Sequence, residues 1–346
     1  MKSSNTPGTL YFIRENDPFA EAAGHYVKIG LVRDNGSGRS SNDRLLEHQT
    51  GNPRQLVVAG SIATVASVSA FESAVHQRLA PHRVNGEWFR TPSEGITRFI
   101  DEATHVQEGI EQVTTGSSTI STLCAGVDSG MDKPSCRESE ELHNEAIRLS
   151  SRIQGIKQLQ QMIKLQLQCL GGSEAADIEG ICRHQFTRSA GRFDESGFRS
   201  AHPAIFEKLA REDIGQNFRM RGMQRNTRNE ERKKLEGICD GQTSGCDGPV
   251  QLNRTTKAEQ LHAQWIDLLS ELQPLTLQLK LHENSLKLIC GSDAGIEGIC
   301  SWKRRVKKSL NRTQLAENHP ELADEFTLIS APRWSFHVNA WRPYRF

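Results

Sequence analysis

The stretch GTLYFI (residues 8–13), followed after a polar connection by YVKIGLV (residues 26–32), decides how this chain is read. Both runs are short and rich in β-branched and aromatic residues, the pattern of strands. A Gly/Ser/Asn loop, RDNGSGRSSND (residues 33–43), comes next, and Asn42 or Asp43 can cap the helix DRLLEHQT. Gly51-Asn52-Pro53 ends that helix, and QLVVAGSIATV (residues 55–65) reads as a third strand. Ser67 or Ser69 then starts AFESAVHQRLAPH, in which Phe71, Ala74, Val75 and Leu79 fall at helical spacing. That spacing leaves Glu72 and His76 paired at i and i+4 on one flank. A short extended piece, GEWFRT (residues 86–91), and a last helix, SEGITRFIDEATHV (residues 93–106), close the unit. Residues 1–106 therefore read as one α/β (α+β) domain built on a small three-stranded sheet.

At 346 residues the chain is long enough for two or three domains. Its charged fraction is 25% and its net charge only +1, so binding to nucleic acid must rest on local patches rather than overall charge. Two basic runs exist. One holds Arg219, Arg221, Arg225, Arg228, Arg232, Lys233 and Lys234 against Glu230 and Glu231; the other holds Lys303, Arg304, Arg305, Lys307, Lys308 and Arg312 with no acid. Each reads equally as a DNA-facing patch or as a solvated helix face. No apolar run approaches the roughly 18 residues a membrane span needs. The start, MKSSNTPGTLYFIREN, lacks the apolar core of a secretory signal, which points to the cytoplasm. Of the eight cysteines, none forms a C-x-x-C pair; in a reducing compartment most are expected as small buried residues.

Residues 107–140, rich first in Gly, Ser and Thr and then in Asp, Pro and Ser, read as a linker. The remainder of the chain is duplicated. A long amphipathic segment from Leu142 and another from Leu261 each run into Ile-Glu-Gly-Ile-Cys, at Ile178–Cys182 and Ile296–Cys300. Each copy continues through a basic stretch to a His-Pro pair, His202-Pro203 and His319-Pro320. The expected layout is helical repeat 1 at 141–215, a basic connector at 216–258, helical repeat 2 at 259–330 and an aromatic, basic tail at 331–346. The repeated tag reads as a turn into a strand, its Gly taking a backbone conformation that other residues resist. A third tag, Leu235–Cys239, lies between the copies; recurrence of Cys182, Cys239 and Cys300 at one tag position implies a shared small pocket.

The chemistry-bearing residues lie in the first domain: Tyr11 on strand one, Lys28 on strand two, Arg44 and His48 one turn apart on a helix, and Glu72 on the next helix. Taken singly, each has an ordinary structural explanation. As an ordered set with the closing Glu87-Trp88-Phe89, they resemble the GIY-YIG nuclease superfamily, and within it the branch named for an open reading frame of phage T5. GTLYFI stands at the first motif and YVKIG at the second, with Lys28 replacing the second tyrosine, as is usual in that branch. The resemblance covers about residues 8–92 and implies a Mg²⁺-dependent (or Mn²⁺-dependent) endonuclease acting on DNA, or a DNA-binding module that does not cut.

In that setting Glu72 is a hard oxygen ligand for a single Mg²⁺. Arg44 is a permanently charged fork for a phosphate oxygen. Tyr11 orients or deprotonates the attacking water, His48 assists the proton transfer, and Lys28 binds phosphate or lowers the pKa of Tyr11. Lys28, Arg44, Lys303, Arg304 and Arg305 are the candidate DNA contacts; His76, Trp88 and Phe89 are read as structural. The geometry expected is convergence of Tyr11, Lys28, Arg44 and Glu72 on one exposed concave face. The C-terminal string from Ile296, with its later His-Pro-Glu-Leu, is faintly similar to the tail accompanying YqaJ-type phage exonucleases, which implies an accessory element without its own active site. A third possibility is an interaction protein of phage or mobile-element origin, with the duplicated region as its functional part.

Overall fold

Alternation along the first strands sets the sheet. The computed structural model describes residues 6–16, 23–34, 36, 38–92, 95–172, 174–187, 191–223, 230–242, 249–329 and 333–342. Strands β1 (Gly8–Asn16) and β2 (Ala23–Arg33) pair antiparallel, with Tyr11 opposite Gly30 and Ile13 opposite Lys28. Strand β3 (Gln55–Thr64) pairs with the other edge of β1. Residues directly opposite share a face, so Tyr11, Ile13, Lys28 and Gly30 look one way while Leu10, Phe12 and Ile29 look the other.

Among the described residues the sheet has five strands, in the order β3-β1-β2-β5-β4, and not the three expected. Strands β4 (Arg83–Asn85) and β5 (Trp88–Arg90) form a hairpin that adds to β2. Gly86, at φ 50°, supplies the left-handed residue of its turn. Asn85-Gly86 is a strong hairpin dipeptide, so a hairpin stands where a single extended piece is expected.

Helices cover both faces. Helix α1 (Ser41–Gln49) lies over Tyr11 and Ile13, with Leu45 and Leu56 completing that cluster. Ser40 caps it, and Asp43, a cap candidate in the sequence, closes the capping box from the third position. Helices α2 (Val68–Arg78) and α3 (Ile96–Thr114) cover the opposite face, packing Phe71, Val75, Phe99 and Ala103 onto Leu10, Phe12, Val27 and Ile29. Burial from both sides explains why β1 is apolar from Leu10 to Ile13 rather than alternating. Helix α3 carries on to Thr114 because Val106 and Ile110 extend its buried stripe, and helix α4 (Ser117–Cys124) follows. Much of the stretch that reads as linker from its small polar residues is therefore helical.

The duplicated region is a strand-exchanged pair. Copy one comprises β6 (Asp132–Lys133), α5 (Arg137–Gln168), β7 (Ala176–Ile178), β8 (Cys182–Thr187), β9 (Arg192–Phe193), α6 (Glu195–Ala201), α7 (Pro203–Leu209) and β10 (Ala210–Met220). After α8 (Glu230–Gln242), copy two comprises β11 (Val250–Leu252), α9 (Thr256–Cys290), β12 (Gly295–Ile296), β13 (Cys300–Leu310), α10 (Arg312–Asn318), α11 (Pro320–Glu325), β14 (Thr327–Leu328) and β15 (Arg333–Val338). Two four-stranded sheets result, β10-β13-β12-β6 and β15-β8-β7-β11, with equivalent strands in equivalent places. Each sheet takes strands from both copies.

The correspondence extends to single bonds. Arg221 N–H donates to Ile299 O at 2.8 Å, and Asn339 N–H to Ile181 O at 2.8 Å. The Nε2 of His143 meets Arg221 O at 3.0 Å, and that of His262 meets Asn339 O at 2.7 Å. Helices α5 and α9 pack along each other through Leu149, Ile153 and Ile156 against Leu272 and Leu275, with Arg152 bonded to Glu271 at 2.7 Å. Neither copy could bury its sheet alone, so the two are one body.

The long helices dominate this region as expected; its sheets are an addition to the helical reading. Gly180 and Gly298, at φ 70° and 71°, make the tag turns. The third tag instead lies within α8. The cysteines of the three tags do not share a pocket: Cys182 and Cys300 sit in separate clusters, and Cys239 faces Cys169. Cys246, Arg225, Arg228 and residues 343–346 of the tail lie outside the described residues.

The N-terminal unit rests on α9. Leu277 packs against its core, Gln77 Nε2 donates to Leu269 O at 3.2 Å, and Asn284 Nδ2 donates to Val113 O at 2.9 Å. Among the described residues, no helix is long and apolar enough to cross a membrane.

Candidate functional site

The hairpin β4–β5 pairs with β2 only as far as Lys28, with one further bond from Ile29 N–H to Glu87 O at 2.9 Å. Past that point a cavity of ≈ 400 Å³ opens beside β2. Tyr11, Leu31, Val32, Arg33, Arg39, Arg44, Glu72 and Glu87 line it. Residues from β1, β2, α1, α2 and the hairpin thus meet at one place.

Tyr11 is fully buried, hydroxyl included, rather than on an exposed face as expected, and that hydroxyl lies 3.3 Å from His48 Nε2. Burial pushes its pKa up, and the Arg44 guanidinium beside it pulls it partly back. His48 is pushed down by burial and by the cations Lys28 and Arg44. A neutral imidazole accepts at one nitrogen, so the geometry suits a Tyr11 hydroxyl that donates to His48. Arg44 bonds Glu47 at 2.5 Å, and Arg39 also bonds Glu47. The Nε of Arg44 is buried with no hydrogen-bond partner among the described residues.

Glu72 reaches the cavity from α2. Burial, reinforced by the negative charge of Glu87, raises its pKa to about 7. Its carboxylate has no hydrogen bond among the described residues. Lys28 does not open into the cavity: its Nζ is 2.5 Å from Glu87 Oε2, and Glu87 lines the cavity. Of the residues expected to converge, Tyr11, Arg44 and Glu72 line one hollow, and Lys28 and His48 adjoin it through one bond each.

Three charged cavity residues carry little signal in the sequence. Glu87 shows there only as part of a motif string. Arg33 bonds Ser69 at 3.2 Å, and Arg39 lies in the Gly/Ser loop; neither belongs to a local pattern. His76 faces inward, its Nε2 donating to Ile29 O at 2.9 Å, and burial lowers its pKa to about 4. Phe89 is core, and Trp88 packs on the Tyr11 cluster.

The distal cations divide. Arg304 is 1% exposed, its guanidinium donating to Leu123 O at 3.2 Å and Asp293 O at 3.1 Å and stacking 4.2 Å over Trp302. It ties α4 to the turn between α9 and β12 and cannot reach a duplex, which corrects the expectation of a DNA contact. Strand alternation is the reason: Trp302 and Arg304 both face inward. Lys303 and Arg305 point outward, Lys303 lying 3.9 Å from Asp132. On the paired strand, Glu212 and Asp213 stand opposite Lys308 and Lys307, so this ribbon is mixed in charge rather than basic.

A two-sided α/β layer thus gathers a tyrosine, an arginine and a carboxylate around one hollow, with a histidine beside it; the family match that follows suggests a nuclease-like or DNA-binding type of domain. Residues 8–104 match the family model described as the T5orf172 domain. No curated protein and no solved structure matches the chain. The match ends at residue 104, and the resemblance of the C-terminal region to the tail of YqaJ-type exonucleases finds no support in these comparisons.

Proposed function

We propose that the N-terminal unit is a DNA endonuclease of GIY-YIG type, hydrolysing phosphodiester bonds with a divalent cation, Mg²⁺ or Mn²⁺, held by Glu72. The observation that carries this reading is the meeting of Tyr11, Arg44 and Glu72 in one hollow, with His48 on the Tyr11 hydroxyl. Glu72 fits such an ion because its carboxylate is a hard donor without a competing hydrogen bond among the described residues, in a polar hollow. When bound, the ion neutralises charge on the phosphoryl oxygens.

The protein's own residues do the rest. Arg44 binds a non-bridging phosphate oxygen. The Tyr11 oxygen takes a proton from the attacking water while its own proton passes to His48 Nε2. Lys28 is held by Glu87 and acts at one remove, lending positive field near His48.

A second reading, DNA binding without cutting, is favoured by one observation. A Glu72 pKa of about 7 leaves the carboxylate largely protonated below neutral pH, where it is a poor cation ligand. A labelled duplex separates the two. Both require binding that weakens with salt, with a log–log slope of roughly −0.9 per phosphate contact; only the first requires cleaved product when Mg²⁺ or Mn²⁺ is present. Binding indifferent to salt, with no product, overturns both.

A further inference from the structure

We propose that Cys169 and Cys239 form a disulfide when the protein meets an oxidising thiol–disulfide couple, a covalent modification that ties α8 to the end of α5. Their sulfurs are 3.5 Å apart. Cys169 begins the turn Cys169–Gly171 that ends α5, and Cys239 lies near the end of α8. The Cys239 thiol also lies 3.9 Å from Leu165 O, and the Cys169 thiol 4.0 Å from Leu235 O, so each helix presents its sulfur to the other. A disulfide needs about 2.05 Å, a closure of about 1.5 Å that side-chain rotation with a small helix shift can supply.

The duplication provides an internal control. Gly172 and Gly291 end the two long helices, 119 positions apart, which pairs Cys169 with Leu288. Strands β6 and β11 start at residues 132 and 250, 118 apart, which pairs Cys239 with Ser121 on α4. In the second copy, then, a half-exposed leucine stands at the position of Cys169, close to Gly116. The junction does not need sulfur, yet one half carries two facing thiols.

Cys169 is the more exposed of the pair and is the entry point. With oxidised glutathione, the Cys169 thiolate attacks one sulfur of the reagent; its S–S bond breaks and one glutathione thiolate leaves. The Cys239 thiolate then attacks the Cys169 sulfur and releases the second glutathione. Two protein thiols give up two protons and two electrons, and one glutathione disulfide becomes two thiols.

The full-length protein is treated with oxidised glutathione, alkylated, digested without reduction and mapped by mass spectrometry. The expected product is a peptide pair joining Cys169 to Cys239, present in wild type and in Cys246→Ser, absent in Cys169→Ser and Cys239→Ala, and reversed by dithiothreitol. Alkylation of both residues after oxidation, a link from either to Cys246, or a stable glutathione adduct on Cys169 overturns the proposal.

Discussion

Gly30 leaves the space that the Tyr11 hydroxyl occupies. The two residues are direct partners across β1 and β2, and a Cβ at Gly30 would stand 2.4 Å from Tyr11 Oη. The glycine is needed here for closeness, not for an unusual backbone angle. Gly30→Ala is expected to cost about 1–3 kcal/mol of stability through overpacking. It should also lower cleavage by pushing the hydroxyl off His48. Urea unfolding and single-turnover cleavage measure the two effects.

Tyr11→Phe keeps the ring in its cluster and removes only the oxygen that meets His48. Stability should change by less than about 1.5 kcal/mol, the usual worth of one hydrogen bond. Cleavage should fall about 10²–10⁴-fold if the hydroxyl moves the proton. A variant that cuts at the wild-type rate would remove Tyr11 from the chemistry.

Glu72 gives a pH signature with a definite sign. Its folded pKa of about 7 lies above the ordinary 4.5, so the folded protein binds the extra proton and loses stability as pH rises between those values. Glu72→Gln should therefore stabilise the protein at pH 8 by about 1–2 kcal/mol, allowing for partial solvent access. Metal-dependent cleavage by the wild type should rise over the same interval as the carboxylate ionises. Unfolding titrations at pH 5 and pH 8 and a pH–rate profile check both.

Two buried histidines act in the opposite sense. His76 and His262 both donate to backbone carbonyls, and burial lowers each to about 4. The unfolded chain then binds more protons between about 6.5 and 4, so stability should fall as pH drops through that range. Chemical denaturation at pH 7 and pH 5 should show the loss, and His262→Asn should reduce it.

Arg304→Met removes a buried guanidinium and leaves the carbonyls of Leu123 and Asp293 without its donors. The expected cost is about 2–4 kcal/mol, from the unpaired acceptors and the lost stack on Trp302. The salt slope of DNA binding should be unchanged, because this arginine does not reach solvent. A slope shallower by about one contact would restore it as a phosphate ligand.

Much of the N-terminal unit is legible in the sequence because its signals are local. Strand alternation places Tyr11, Lys28 and Gly30 on one face, and helical spacing puts Arg44 and His48 on one turn. The hairpin is also local, in Asn85-Gly86, but three-residue strands give too little alternation to show as a pair. Arg33 and Arg39 escape a sequence reading, and Glu87 shows only within a motif string, because tertiary contact alone brings them to the hollow. The duplication shows in sequence, whereas its strand exchange does not, since the repeat pattern is the same whether a strand pairs within its own copy or across. Arg304 illustrates the limit of charge runs. Six cations from Lys303 to Arg312 look alike in sequence, and only the pleat of β13 turns one inward.

Hydrolysis of DNA at the hollow around Tyr11, Arg44 and Glu72 is the activity we propose. Its most direct test is nicking of supercoiled plasmid with Mg²⁺ or Mn²⁺ by wild type and by Glu72→Ala, each first shown to be folded. Nicking that requires the ion, and that falls at least about 100-fold in the variant, is the predicted result. Equal nicking by both proteins, or none by either with any divalent ion, would contradict it.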